Sequence, residues 1–96
     1  MKIDFSQKAY QRLEVLAEYI YQQSGSKKTT VSYLKKLRQY ITQTLEAFPQ
    51  AGRSSEELAP NTRKLVYQGF SIIYRISDEH IEILTIYREN LYNTHG

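Results

Sequence analysis

Three cations fall at strand-like positions late in the chain: Lys64, Arg75 and Arg88. Arg53 and Arg63 lie close by in sequence, and Tyr87 precedes the last of the three. Fixed positive charge of this kind holds a phosphodiester and stabilises the charge that develops as phosphorus is attacked. Metal-independent RNA cleavage through a 2′-hydroxyl can be built on such a set, but it also needs a general base. None is evident. His80 sits at an expected turn, and Glu82 is expected across from Arg75, where it reads as half of a structural pair. There is no Ser/His/Asp grouping, glycine-rich phosphate loop, carboxylate pair or metal-ligand spacing. The absence of cysteine excludes thiolate chemistry, disulfides and Cys-ligated metals, and two histidines make a poor metal site, so no cofactor is expected. On residue chemistry alone, binding outranks catalysis.

The elements that would position these side chains belong to a short chain. Its 96 residues carry a formal net charge of +3 and read as one domain, 1–96. At 41% hydrophobic the chain is not a disordered composition. Met1-Lys2-Ile3-Asp4-Phe5 carries no signal-like apolar run, and no segment nears the ~18 apolar residues of a membrane span, so a cytoplasmic protein is expected.

Residues 2–6 read as a short strand with Ile3 and Phe5 on one side, and Ser6 reads as a helix N-cap. Ala9, Leu13, Leu16 and Ile20 then recur at helical steps, widened by Tyr10 and Ala17, up to the turn residues Ser24-Gly25-Ser26. A second helix starts near Lys27–Thr30. Its stripe is Val31, Leu34, Leu37, Ile41, Leu45 and Phe48, and Pro49 discourages continuation. The short link makes the two helices an antiparallel hairpin. Residues 49–62 read as a loop with one helical turn near Ser55–Leu58. Three strands follow, Arg63–Tyr67, Phe70–Ser77 and His80–Arg88, joined by tight turns at Gln68-Gly69 and Asp78-Glu79. The fold class is therefore α+β: an N-terminal strand, a helical hairpin and a three-stranded antiparallel meander, with the helices on one sheet face.

Simple two-residue hairpins set the faces. Ile73 is expected opposite Leu84, and Ser71 opposite Ile86. One face then carries Leu65, Tyr67, Phe70, Ile72, Tyr74, Ile76, Ile81, Ile83, Thr85 and Tyr87, and takes the helices. The other carries Lys64, Val66, Ser71, Ile73, Arg75, Glu82, Leu84, Ile86 and Arg88. Val66, Ile73, Leu84 and Ile86 would be left partly exposed among cations, which marks an interaction surface. The alternative is that residues 89–96 fold back over it, and a β-bulge would swap the faces beyond it. On the second helix Lys27, Lys28, Lys35 and Arg38 are expected opposite the apolar stripe, in a stretch, 19–45, without any acid. That face is either solvated or suited to an anionic partner. Nine tyrosines against three phenylalanines and no tryptophan read first as aromatic packing at helix and sheet margins, with the hydroxyls left wet.

Phe48-Pro49-Gln50-Ala51-Gly52-Arg53, then Arg63-Lys64-Leu65, then Gly69-Phe70-Ser71-Ile72-Ile73-Tyr74-Arg75-Ile76, then Ile81-Glu82-Ile83-Leu84-Thr85-Ile86-Tyr87-Arg88 form an ordered series. The series, over nearly the whole chain, resembles the RelE/ParE superfamily of bacterial toxins, and its ParE-like (plasmid stabilisation) branch in particular. The resemblance implies a toxin encoded with an antitoxin protein that wraps and neutralises it, in an oligomeric complex. Antitoxin contacts would then fall on Lys64, Val66, Ser71, Ile73, Arg75, Leu84, Ile86 and Arg88. It implies a gyrase-directed block of replication for the ParE branch, and ribosome-dependent mRNA cleavage for the RelE branch. The ribonuclease reading would draw on Lys64, Arg75, Arg88 and Tyr87. Ser71 stands where the RNA-cleaving branch typically has an arginine, and Leu91 lies near a second such position. These departures put the gyrase reading first and leave the ribonuclease as the alternative. For gyrase contact the C-terminal segment is the candidate.

Overall fold

A computed structural model describes residues 1–88; the expectations for residues 89–96, including a covering tail, Leu91 and a C-terminal gyrase contact, lie outside them. Strand β1 (Lys2–Phe5) is followed by helices α1 (Gln7–Ser24) and α2 (Lys27–Ala47). Strands β2 (Arg53–Ser54), β3 (Thr62–Tyr67), β4 (Phe70–Ser77) and β5 (His80–Arg88) complete the fold. They form one sheet in the order β1-β5-β4-β3-β2, in which β1 runs parallel to β5 and every other pair is antiparallel. The expected architecture is borne out, with the short β2 added at one edge.

Local chemistry accounts for the boundaries. The Ser6 hydroxyl accepts from the Ala9 N–H at 3.0 Å and caps α1. Gly25, at φ 65°, ends that helix in the left-handed conformation, and the Ser26 hydroxyl caps α2 through the Thr29 N–H. In the β3–β4 turn both Gln68 and Gly69 have positive φ, as a type I′ hairpin requires.

The core lies between the helices and one sheet face. Ala9, Leu13, Leu16 and Ile20 of α1 and Leu37, Ile41 and Leu45 of α2 pack on Leu65, Phe70, Ile72, Tyr74, Ile81, Ile83 and Ile86. The ends of the expected α2 stripe are out of phase. Thr30 is buried in place of Val31, which is 66% exposed, and Phe48 is 68% exposed. Val31 follows its buried neighbour by one residue, about 100° around the helix. Beyond Ala47 the helical phase no longer applies, because Phe48 takes a C-cap conformation ahead of Pro49.

The tyrosines follow the packing reading. Tyr40 stacks on Tyr67 at 4.5 Å between ring centroids, and Tyr33 meets Phe70 edge-on at 6.1 Å. Tyr74 is fully buried. Its hydroxyl donates to the Pro49 carbonyl at 2.8 Å and accepts from the Gly52 N–H at 2.9 Å. Burial pushes its phenol above the ordinary value of 10.0, partly offset by the Gly52 hydrogen bond and the Arg63 charge. Arg63 reaches back to the Gly52 carbonyl at 2.6 Å. A Cβ on Gly52 would stand 2.8 Å from the Lys64 backbone and 2.9 Å from the Tyr74 ring, so only glycine fits. The segment Phe48–Arg53 is thus clamped onto β3 and β4.

Candidate functional site

The face of the sheet away from the helices is set by one irregularity. Tyr74 pairs with Ile83, but Ile73 pairs with Thr85, which leaves Leu84 without a cross-strand partner. This is a β-bulge, and it inverts the in/out alternation for the rest of β5. Its backbone is tied to the start of α1. The Ser6 hydroxyl donates to the Leu84 carbonyl at 2.9 Å, the Ser6 N–H donates to the Ile83 carbonyl at 2.9 Å, and Arg12 Nε donates to the Ile86 carbonyl at 3.0 Å. The β1 register ends at Phe5 opposite Ile83, and these groups bond β5 carbonyls from that point onward.

The bulge corrects four assignments made from simple hairpin parity. Ile86 and Arg88 belong to the helix side. Ile86 is 2% exposed within the core, and the Arg88 guanidinium lies 4.3 Å from the Tyr19 ring centroid on α1. Thr85 and Tyr87 move to the open face, opposite Ile73 and Ser71. No glycine or proline in Ile83-Leu84-Thr85-Ile86 signals the change.

Register then builds the open face in three rows. Arg53, Lys64, Ile73 and Thr85 form one; Thr62, Arg75, Glu82 and Asp4 the next; Val66, Ser71 and Tyr87 the third. Charge is divided across it. The cations Arg53, Lys64 and Arg75 stand on β2, β3 and β4, and the carboxylates Glu82 and Asp4 on β5 and β1. Asp4 is paired with His80 at 2.6 Å. Arg53 pairs with Glu57 at 3.3 Å. A backbone hydrogen bond and then the Arg53 side chain hold the Glu57 carboxyl below its usual range.

The structure therefore brings together Lys64, Val66, Ser71, Ile73, Arg75, Leu84 and Tyr87, and separates Ile86 and Arg88 from them. The expected apolar exposure is narrower than parity suggested. Val66 is 50% exposed and Leu84 half-buried, but Ile73 is 4% exposed, in the middle strand between Lys64 and Thr85. Lys64 and Ser71 are buried as well. The basic residues of α2 are all exposed, yet they do not form one plain polar face. Lys35 and Arg38 flank a groove that includes Phe5, Val31 and Leu34, and Arg38 stands 5.7 Å from the Phe5 ring centroid. Lys27 lines a second groove, between the helices. Among the described residues no group of three or more His, Cys, Asp or Glu could hold a metal ion, and no helix is long and apolar enough to cross a membrane.

A family model described as the ParE toxin of the type II toxin–antitoxin system matches residues 3–90. Among solved structures the chain is similar to one from the chromosomal ParDE toxin–antitoxin system of P. aeruginosa. Identity is 26% and the TM-score 0.77, over 92% of this chain and 95% of that one. It is also similar to a chain of the RelBE2 toxin–antitoxin complex of Mycobacterium tuberculosis, at 21% identity and a TM-score of 0.65, over 91% of this chain and 88% of that one. The second likeness concerns the fold alone. No curated protein sequence matches. The chain belongs to the ParE toxin family of type II toxin–antitoxin systems.

Proposed function

We propose that this ParE-family toxin arrests growth by binding DNA gyrase, without cutting RNA, and that a cognate antitoxin protein neutralises it by covering the open sheet face. The observation that carries the first half is the division of the cation set by the Leu84 bulge. Lys64 and Arg75 stand on the open face, whereas Arg88 is turned to the helix side and lies over Tyr19. Stabilising a phosphorane needs donors preorganised around one phosphate, and these three cations do not share a face. Ser71, 0% exposed, adds no charge where the RNA-cleaving relatives typically carry an arginine.

The same face supports the antitoxin half. Val66 and Leu84 offer apolar contact, and Arg75 offers a cation to the carboxylates of a wrapping segment. Its place of action is then the cytoplasm, with the chromosome.

The test is induction of the chain alone in a bacterial host, following DNA and protein synthesis by label incorporation over the first minutes. Early loss of DNA synthesis with filamenting cells is expected, followed by inhibition of purified gyrase. Early loss of protein synthesis with DNA synthesis intact would overturn the reading in favour of ribosome-dependent mRNA cleavage.

A further inference from the structure

Helix α2 carries a charge pattern that neither the core nor the open sheet face uses. Residues 19–45 hold Lys27, Lys28, Lys35, Lys36 and Arg38 and no acid. Their charge exceeds the net +3 of the whole chain, so the remainder is net acidic and positive charge is gathered on this one helix. Among the described residues none of these cations forms an ion pair. Lys27 and Lys28 also stand in the first turn, which holds no acid and where the helix dipole disfavours cations. Charge set against the dipole and left without carboxylate partners does not serve the stability of the helix.

Lys28, Ser32, Lys35, Gln39 and Gln43 recur at steps of four, three, four and four, with Lys36 alongside, and all six are exposed. They lie across the helix from Leu37 and Ile41 of the core, and their ridge borders the groove of Phe5, Val31 and Leu34. The ridge runs for ~22 Å along the axis without an apolar or aromatic side chain of its own.

We propose that this ridge binds the phosphate backbone of double-stranded DNA. Lysine, serine and glutamine side chains contact phosphate and sugar, and they do so without reading sequence. A protein partner needs apolar or aromatic side chains at the centre of its footprint, and the ridge offers none. Single-stranded RNA needs aromatic rings on which its bases stack, and the ridge lacks those too. A duplex carries one charge per ~1.7 Å of its axis, so lysines two helical turns apart, as Lys28 and Lys35 are, each find a phosphate. The ridge points away from the sheet, so a protein on the open sheet face leaves it accessible. Such binding concerns the chain and a duplex alone, and it holds whichever target the toxin arrests.

The experiment is fluorescence anisotropy of a short labelled DNA duplex of mixed sequence, titrated with the purified full chain between about 50 and 200 mM salt. Binding is expected, with log K falling against log salt at a slope of about −3 or steeper. The variant Lys28→Gln/Lys35→Gln/Lys36→Gln, checked for native circular dichroism, is expected to flatten the slope by about 2–3 and to weaken binding roughly tenfold or more at about 50 mM salt. Arg75→Gln, on the open sheet face, is expected to leave both unchanged. If the triple variant fails to fold, Lys35→Gln alone decides, with a slope flatter by about one. Absence of binding at about 50 mM salt overturns the proposal and leaves the ridge to an acidic protein segment or to solvent. So does binding that survives the lysine changes, which would place the contact elsewhere, and so does tighter binding of an RNA duplex of matching sequence.

Discussion

Replacing Tyr74 with phenylalanine removes one oxygen atom and two hydrogen bonds. The ring stays in the core, so the change isolates the clamp on the segment Phe48–Arg53. The Gly52 N–H is buried and has no strand partner, since β2 begins at Arg53. Leaving such a donor unsatisfied costs about 1–3 kcal/mol. Pro49 is half-buried, so water can replace the phenol at its carbonyl and the loss there is smaller, up to about 1 kcal/mol. Together the expected loss is about 2–3 kcal/mol, a shift of about 1–2 M in the urea midpoint. In thermal unfolding the same loss lowers Tm by roughly 8–24 °C in a domain this small. Gly52→Ala attacks the clamp from the other side. Its Cβ meets backbone atoms that cannot yield, at an expected loss of about 1–3 kcal/mol. Because both changes break the same contact, the double variant should be more stable than the sum of the single losses predicts. If Tyr74→Phe unfolds within about 0.5 kcal/mol of the wild type, the hydroxyl is not what holds the segment and the reasoning fails.

Ser6→Ala removes both the α1 cap and the donor to the bulged Leu84 carbonyl, and should lower stability by about 1–2 kcal/mol in urea unfolding. Burial raises the Tyr74 phenol, so the folded state holds its proton beyond pH 10 while the unfolded chain releases it. Stability should therefore fall as pH rises from the unfolded value toward the folded one, and Tyr74→Phe should flatten that fall, leaving the contribution of Tyr33, raised chiefly by burial as well. Lys64→Ala and Arg88→Ala should each leave toxicity intact at matched protein levels, as judged by colony counts after induction. Abolition by either in a folded protein would favour the ribonuclease. Arg88→Ala should also cost about 1 kcal/mol of stability through its lost contact with Tyr19.

The helices and strands could be read from the sequence because their periods are strong and their caps explicit. Ser6, Gly25 and Ser26 stand where helix ends need them, and Gln68-Gly69 where a hairpin does. What escaped reading has a common cause. In Ile83-Leu84-Thr85-Ile86 every residue suits a strand, so nothing marks the place where the alternation slips, and the faces of Ile86, Tyr87 and Arg88 were inverted with it. Val31 misled for a related reason: it fits the spacing of the buried stripe within one residue, and only packing chooses Thr30 instead. The Phe48–Arg53 series could be matched to a family, but its physical basis, a tyrosine hydroxyl 22 residues after Gly52, is a tertiary contact that no local period encodes.

The joint at Ser6 also says when the protein can fold. Its hydroxyl bonds a carbonyl 78 residues further along, and among the described residues β1 pairs with β5 alone, the last of these five strands to be synthesised. The entropy of closing so long a loop must be met before either contact gives a return. At about 5–20 residues per second, the ribosome keeps the first strand waiting several seconds for its neighbour. Over that interval the apolar stripes of α1 and α2 have each other but no complete sheet. Acquisition of the toxin fold is therefore a single late event in synthesis, and a partner already present has time to meet the nascent helices before that event occurs.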